Sequence, residues 1–270
     1  MKKKIWDVLY PAVFFYMAMI AASILGMILA GKITGIYEED ASGLLNSVKG
    51  LPLLVSMGAY LFTFLMLCKT YKKDDLRFGS DRQASSFPDL FWSALFVTGA
   101  GFLWSSLIRA CGLTKIFSYY ETNAASAFEG QNPLLLITAT VITGPAAEEL
   151  VFRGMIFRRA KGNFGKRWAV AWSAILFGLY HGNMVQFIYA GGLGILLALL
   201  YDRYRSLLLV ILCHMCVNLW AIFVPEVLEA AAGVGRRTES LVYLLHAAAL
   251  VLSAFVLFRR NKKMQMQGNG

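Results

Sequence analysis

Two adjacent carboxylates, Glu148 and Glu149, lie inside an apolar stretch of the sequence that runs from Leu134 to Phe157. This stretch is long enough to cross a membrane as a helix, which takes about 20 residues. An ionised carboxylate costs several kcal/mol when it is surrounded by hydrocarbon. We therefore expect the two side chains to face a polar or hydrated interior, and the stretch to carry a functional site inside a membrane protein.

The composition of the chain also indicates a membrane protein. Of its 270 residues, 58% are hydrophobic and only 16% are charged, whereas a soluble domain carries about 25% charged residues. The net charge of +10 would suit a protein that binds nucleic acid. However, the lysines and arginines fall in short clusters between apolar runs, as they do in the loops of membrane proteins. We therefore expect a lipid bilayer around the chain and no nucleic acid as a partner.

Eight apolar runs divide the sequence. They cover residues 8–30, 51–68, 90–107, 134–157, 168–181, 185–201, 207–224 and 241–258, and the fifth is the shortest. Because about 20 apolar residues make one crossing, the pattern predicts an all-α, polytopic membrane protein. We expect a bundle of about eight transmembrane helices, with residues 1–270 forming one integral membrane domain and the site in the bundle core.

The distribution of basic residues predicts the orientation of the chain. If every run crosses the membrane, twenty of the 26 lysines and arginines lie on the side of the two termini, and six lie on the opposite side. Basic residues concentrate in the cytoplasmic loops of membrane proteins. We therefore expect both termini to be cytoplasmic.

Ionisable residues inside the apolar runs are few. Glu149 and Arg153 are four residues apart, so they can pair along one face of a helix, which leaves Glu148 without a local counter-ion. Two neighbouring carboxylates oppose each other's ionisation at low dielectric, and this suits one of them to act as a base near neutral pH. A purely structural Glu-Arg pair beside a protonated Glu148 is the alternative. Gly144-Pro145 is expected to kink the helix and make room at the site.

Two of the three histidines in the chain complete the expected site. His181 ends the fifth run, where a helix cap is the simplest role, and His214 precedes Asn218 by one helical turn, where the pair could join two helices. At ~1.5 Å of rise per residue, however, both histidines, Asn218 and Glu148 all fall in the middle of a ~30 Å hydrocarbon layer. Acid, imidazole and amide groups at one depth can assemble a site that activates water for hydrolysis.

The residues of this expected site resemble the motifs of a known family. The three motifs are, in order, Glu148-Glu149-x-x-x-Arg153, Phe177-x-x-x-His181 and His214-x-x-x-Asn218. They are similar to those of the CPBP family, which comprises the type II CAAX prenyl endopeptidases and related bacterial proteins, including bacteriocin-immunity and abortive-infection-like members. The resemblance covers the core at residues 134–224 and implies an intramembrane endopeptidase, a hydrolase of the glutamic type.

The resemblance implies a role for each motif residue. Glu148 would be the general base that activates water, helped by His181, while His214 and Asn218 would hold the oxyanion. In the prenyl proteases the scissile bond lies just before the last three residues of a lipidated C-terminus. The implied substrate is therefore a protein or a lipidated peptide, and the implied location is the plasma membrane of a bacterium.

Of the remaining motif residues, Glu149 and Arg153 would be supporting residues. The motifs also leave a metal-dependent mechanism open. In a metal-dependent mechanism, Glu148, His181 and His214 would ligate zinc and leave one position for water. We favour the metal-free mechanism, with no cofactor, because an asparagine is a natural oxyanion donor and a poor zinc ligand.

Two other functions stay open at this point. The chain could be a non-catalytic membrane scaffold or bacteriocin-immunity protein that binds a partner through its loops. It could also be a proton-coupled carrier, because glutamates and histidines in the middle of a membrane suit a proton relay. The complete set of acid, histidine and asparagine residues favours the enzyme. The segment from Arg109 to Asn132, which is rich in aromatic residues, could lie flat on the outer membrane surface.

Overall fold

A computed structural model describes residues 1–35, 48–80, 84–116 and 130–268 of the chain. The described residues form an all-α protein without a β-sheet, which confirms the fold class that the apolar runs predict. Eight long helices follow one another. They are α1 (Lys2–Thr34), α2 (Leu51–Phe78), α3 (Phe87–Ala110), α4 (Pro133–Phe164), α5 (Lys166–Tyr180), α6 (Met184–Tyr204), α7 (Leu207–Val234) and α8 (Arg236–Gly268).

Seven of these eight helices are long and apolar enough to cross a membrane. The exception is α5, which has 15 residues and therefore a length of ~22 Å at ~1.5 Å per residue, less than the ~30 Å of a hydrocarbon layer. The sequence predicts about eight spans. The structure keeps all eight apolar runs as helices but makes the fifth a shorter one, which packs along α6 as a helical hairpin.

The turn between α5 and α6 places His181 at the tip of this hairpin. The main-chain N–H of His181 donates to the carbonyl of Gly178 and closes the last turn of α5. Gly182 follows with a φ of +75°, a conformation that glycine adopts without steric cost. The side chain of Asn183 then caps α6 by accepting a hydrogen bond from the N–H of Gln186 at 2.8 Å.

The central helix of the bundle is α4. Residues 150–160 are all buried, and α1, α2, α5 and α7 pack against the helix. A helix that is apolar on every side is typical of such a central position. Because Glu148 and Glu149 lie on α4 and are buried, both carboxylates face the interior of the bundle and not the lipid.

Ion pairs gather at one end of the bundle. Asp7 near the start of α1 accepts a hydrogen bond of 2.8 Å from Arg77 at the end of α2. Arg260 of α8 donates from Nε to Asp89 at the start of α3, over 2.9 Å. Residues 79–86 are the short connection between α2 and α3. The start of α1 and Arg260 therefore lie at the same end of the bundle.

Two expectations about the loops change with the structure. Arg153 is one of the twenty basic residues that the charge count places on the side of the two termini. It is fully buried in α4 and so carries no information on orientation. Of the segment 109–132, a short helix forms at Leu113–Ile116, and residues 117–129 lie outside the described residues. The proposed interfacial position of that segment stays a prediction.

Candidate active site

The two adjacent glutamates lie on a short α-helical piece of α4 between two π-helical pieces. Gly144–Glu149 is α-helical, whereas Thr138–Thr143 before it and Leu150–Phe157 after it are π-helical. A π-helical turn contains more residues than an α-helical turn, interrupts the regular ladder of hydrogen bonds, and is frequent at functional sites. The sequence predicts a kink at Gly144-Pro145, and the structure has this change of helical winding at the same place.

Glu149 and Arg153 form the ion pair that their spacing predicts. Nη1 of Arg153 donates to Oε1 of Glu149 over 2.7 Å, and both side chains are fully buried. The guanidinium also donates from Nη2 to the carbonyl of Gly194 on α6, over 3.0 Å. Its carbon lies 4.6 Å from the centre of the Phe177 ring, a cation–π contact. Arg153 thus holds α4, α5 and α6 together behind the site.

His214 of α7 lies between the two glutamates. Its Nδ1 is 2.8 Å from Oε1 of Glu149, the same oxygen that accepts from Arg153. Its Nε2 is 3.8 Å from Oε2 of Glu148. One buried imidazole therefore faces both carboxylates of the motif on α4. The spacing in the sequence predicts the pair of Glu149 and Arg153 but gives no sign of the contact between Glu149 and His214.

Glu148 is buried and faces the histidine, with 6% of its surface exposed. The gap of 3.8 Å to His214 is too long for a direct hydrogen bond between nitrogen and oxygen. Among the described side chains, none forms a hydrogen bond with Glu148. Its carboxylate is thus held in place by the helix, while both of its oxygens stay available to a small polar group.

The proton positions on the two histidines follow from their partners. Nδ1 of His214 faces a carboxylate that is already paired with Arg153, and such a carboxylate only accepts hydrogen bonds, so this nitrogen carries a proton. Nδ1 of His181 is 2.8 Å from the carbonyl of Phe177, which also only accepts. In the neutral ring of His181, Nε2 is therefore a hydrogen-bond acceptor.

His181 approaches the site through one aromatic ring. The rings of His181 and His214 both meet Phe177 edge-on, with centroid distances of 4.9 Å and 5.6 Å. Both imidazoles thus contact a single buried phenylalanine. Among the interactions of the described residues, none joins His181 directly to Glu148. The sequence motif contains Phe177, but spacing alone gives no reason to expect this shared contact.

Asn218 is oriented by an interruption in α4. Its Nδ2 donates to the main-chain oxygen of Thr140 over 2.9 Å. In the π-helical piece, the N–H of Gly144 binds the carbonyl of Ala139, five residues earlier. The next donor in this ladder would be Pro145, which has no N–H. The oxygen of Thr140 is therefore free to accept from Asn218, whose second N–H is left for another acceptor.

Two tyrosines that sequence analysis missed border Glu148. The hydroxyl groups of Tyr60 on α2 and Tyr180 on α5 lie within hydrogen-bonding reach of each other and close to Glu148. The ring of Tyr180 stacks on Phe15 of α1, with 4.5 Å between centroids. Tyr180 immediately precedes His181, so its position beside the histidine motif was the available signal. Tyr60 lies in an apolar run without a motif, and its sequence gives no signal.

A zinc site is the alternative that the sequence leaves open. Within the part of the chain that the structure describes, no three histidine, cysteine, aspartate or glutamate side chains are close enough together to hold a metal ion. Glu148 and His214 face each other, but Nδ1 of His214 is bound to Glu149, and Nδ1 of His181 is bound to the carbonyl of Phe177. These positions do not fit a three-ligand zinc site, and the absence of a cofactor stays a prediction.

A known protein family matches the part of the chain that carries most residues of this site. Residues 130–220 match the family described as type II CAAX prenyl endopeptidase Rce1-like. The matched residues include every motif residue described above, from Glu148 on α4 to Asn218 on α7. The core of this chain is therefore similar to that family. The match confirms the resemblance to the CPBP family that the three motifs indicate.

A curated relative extends the similarity beyond the Rce1-like core. A protein of Bacillus subtilis (strain 168), named "Putative membrane peptidase YdiL", is 24% identical over 183 residues, which cover 64% of this chain and 71% of the relative. No solved structure matches the chain significantly. With its apolar helices, the chain is an integral, multi-pass membrane protein that is similar to membrane peptidases.

Proposed function

We propose that this protein is an intramembrane endopeptidase in which Glu148 activates a water molecule for attack on a peptide bond. The observation that carries the proposal is the 3.8 Å gap between Oε2 of Glu148 and Nε2 of His214, in a buried site with Glu149 behind the histidine. Two polar atoms at this separation can hold one water between them, because each can contact it at about 2.8 Å. The family match supports the general class, a membrane protease.

In the first step Glu148 acts as the general base. The water gives a proton to the Glu148 carboxylate while its oxygen forms a bond to the carbonyl carbon of the substrate. The acceptor character of Nε2 in His181 suits it to orient this water through a hydrogen bond, the auxiliary role that the resemblance implies. No part of this step uses a metal ion.

The negative charge then develops on the carbonyl oxygen of the substrate. His214 is suited to donate to this oxygen from Nε2 in the form of its ring that carries a proton on both nitrogens, and Glu149 holds that ring in place at Nδ1. The free N–H of Asn218 is a second donor, and the bond to Thr140 keeps its amide from rotating. Preorganised donors of this kind are typically worth 10²–10³-fold in rate each.

The tetrahedral intermediate collapses with the loss of the amine. The carbon–nitrogen bond breaks, and the proton that Glu148 took from water passes to the leaving nitrogen. Glu148 returns to its ionised form, while the new carboxylic acid and the amine leave the site. Glu149 and Arg153 remain paired throughout and act as positioning residues for His214.

The substrate is proposed to be a membrane-bound protein or a lipidated peptide. An apolar cavity of about 280 Å³ opens between α1 and α5 and is lined by Val13, Met17, Phe152 and Tyr180. Because Tyr180 also borders Glu148, an acyl or prenyl chain in this cavity would hold an attached peptide next to the site. A substrate that carries its own hydrocarbon chain fits this apolar cavity better than a soluble peptide does.

Orientation and location complete the proposal. The ion pairs of Asp7 and Arg260 support both termini on one side of the membrane, and the excess of basic residues supports the cytoplasmic side. We place the protein in the plasma membrane of a bacterium. Cysteine accessibility from either side, measured at Lys2→Cys and Lys263→Cys variants in the intact membrane, tests this orientation.

The decisive experiment replaces Glu148 by glutamine. We expect Glu148→Gln to abolish cleavage while the protein stays folded in the membrane, because the amide fits the same space and cannot take a proton. Membrane proteomes of cells with the two forms, compared for C-terminal fragments that only the unchanged protein produces, identify the clients. Cleavage that survives this change would remove Glu148 from the mechanism.

Further variants and assays separate the other candidate functions from the protease. Full biological activity in both His181→Ala and His214→Ala variants would indicate a scaffold or immunity protein. Flux driven by a pH gradient in reconstituted vesicles, lost in Glu148→Gln, would indicate a carrier. Stoichiometric zinc in purified, active protein would contradict the metal-free mechanism.

A further inference from the structure

A second cavity lies at the charged end of the bundle, away from the glutamates. It has a volume of about 350 Å³ and lies where α2 and α6 end. Four cationic side chains line it, whereas Asp202 is its only acidic lining residue. The four are Arg77, Arg158, Lys161 and Arg205. The floor is formed by aromatic rings, which include the buried Phe157 and Tyr201.

The ion pairs around this cavity leave an excess of positive charge. Among the described residues, five basic side chains of this network share four aspartates. The single carboxylate of Asp202 pairs with two lysines, Lys161 at 2.5 Å and Lys166 at 2.7 Å. Arg205 pairs with no described carboxylate. The surplus of two positive charges thus lies at Asp202 and Arg205, which both line the cavity.

Arg205 is held in an unusual position. Its φ of 47° makes it the one residue other than glycine with a positive φ in the described chain, a conformation that is unfavourable for an ordinary side chain. Among the described residues, its guanidinium makes long contacts, of 3.5 Å to the carbonyl of Phe78 and 3.4 Å to that of Ser80. Gly79 makes room for this group, because a Cβ there would lie 3.1 Å from Nη2.

We infer that this cavity binds a phosphate group, and that its ligand is the head group of an anionic phospholipid. The cavity is at the level where membrane-spanning helices end, which is the level of the lipid head groups. A guanidinium matches a phosphate through two parallel hydrogen bonds. The aromatic rings of the lining suit the first carbons of the acyl chains. The charge of Arg205, which no described carboxylate pairs with, matches the single negative charge of a phosphodiester.

The test uses the full-length protein purified in detergent and titrated with lipids in a native mass spectrometer. Phosphatidylglycerol and phosphatidylcholine with the same acyl chains are the two probes. We expect the protein to bind phosphatidylglycerol more tightly, and Arg205→Asn to weaken that binding about tenfold, as for the loss of one charged hydrogen bond. Asparagine removes the charge and tolerates the left-handed backbone of this position. Arg205→Lys keeps the charge and should retain most of the affinity.

A matched control and a competitor decide between the outcomes. Arg109→Asn removes an arginine at the other end of the bundle, where Arg109 contacts only Ser106, and should leave lipid binding unchanged. Inorganic phosphate at millimolar concentration distinguishes the sources: displacement of the lipid would assign the site to a soluble phosphate compound, and no displacement assigns it to the lipid. Equal binding of the two lipids, or equal effects of Arg205→Asn and Arg109→Asn, would overturn the inference.

Discussion

Asn218 donates a hydrogen bond from its amide nitrogen to the main-chain oxygen of Thr140, 2.9 Å away. Proline at position 145 makes this contact available, because the donor that would otherwise bind the Thr140 oxygen is missing. A residue with no reactive side chain thus sets the orientation of a side chain that we propose to bind the oxyanion. The same proline follows the end of the first π-helical piece of α4.

This relationship predicts the effect of Pro145→Ala. The new N–H would bind the Thr140 oxygen within α4 and displace Asn218 from it. We expect cleavage of an identified client to slow about tenfold, which corresponds to the loss of one hydrogen bond of ordinary strength. The helix content should not fall, because alanine is a better helix former than proline. Turnover and far-UV circular dichroism of the purified protein check both parts.

Pro225→Ala is the control for this prediction. Pro225 lies inside α7, the helix that carries Asn218, so its replacement also restores an N–H to a helix but far from Thr140. Its turnover should match that of the unchanged protein. If the two proline variants lost activity equally, the effect would belong to helix flexibility and not to the position of Asn218.

Glu149 is the residue on which the stability of the site depends most. One of its oxygens accepts from both Arg153 and His214. Glu149→Gln would leave the guanidinium of Arg153 buried without a counter-ion, and breaking a buried pair in this way typically costs about 3–5 kcal/mol. We expect a much lower midpoint of thermal unfolding in detergent and a loss of activity.

The comparison for Glu149→Gln is the neighbouring Glu148→Gln. Glu148 has no hydrogen-bond partner among the described side chains, so its replacement should abolish activity while changing the unfolding midpoint little. The double variant Glu149→Gln/Arg153→Met, which removes both charges of the pair, should recover part of the stability. Equal midpoints for the two single variants would contradict the difference that the structure draws between the adjacent glutamates.

Spacing along one helix allowed part of the site to be predicted. Glu149 and Arg153 are one turn apart, so their pairing follows from helical geometry alone. Depth in the membrane also predicted that Glu148 and His214 lie at the same level, and the structure places them 3.8 Å apart. Both inferences use only the rise and the period of a helix, which do not depend on how neighbouring helices pack.

Contacts between helices could not be predicted in the same way. Whether His214 turns toward Glu149 depends on the rotation of α7 about its own axis, which packing against α4 determines. Tyr60 meets Tyr180 because α2 and α5 approach each other, and no pattern in an apolar run encodes such an approach. The π-helical pieces of α4 are likewise a response to packing, although Pro145 marks where one of them ends.

The tyrosine pair predicts a modest effect on rate. Tyr60→Phe removes the hydroxyl that Tyr180 shares and leaves the ring, so the apolar packing around it is preserved. We expect turnover to fall up to about tenfold, as one hydrogen bond near Glu148 is lost, with little change in the unfolding midpoint. Tyr243→Phe on α8, where the ring of Tyr243 packs on Phe102 of α3, should have no effect. A full loss of activity in Tyr60→Phe would instead make this phenol part of the reaction.

Close packing of α5 on α6 gives the last prediction. A Cβ on Gly194 would lie 3.1 Å from the Cα of Ala174 and 3.2 Å from Cδ1 of Phe177, both tighter than ordinary contact. Gly194→Ala would therefore push on the ring that Arg153 and both histidines share. We expect destabilisation of about 1–3 kcal/mol together with slower turnover. Gly191→Ala on the same helix should be neutral or stabilising, because its nearest atom, the carbonyl oxygen of Ala174, would be 3.9 Å away and alanine favours the helix. Unfolding midpoints of the two variants provide the comparison, and a Gly194→Ala protein as stable and active as Gly191→Ala would show that the Phe177 ring tolerates displacement.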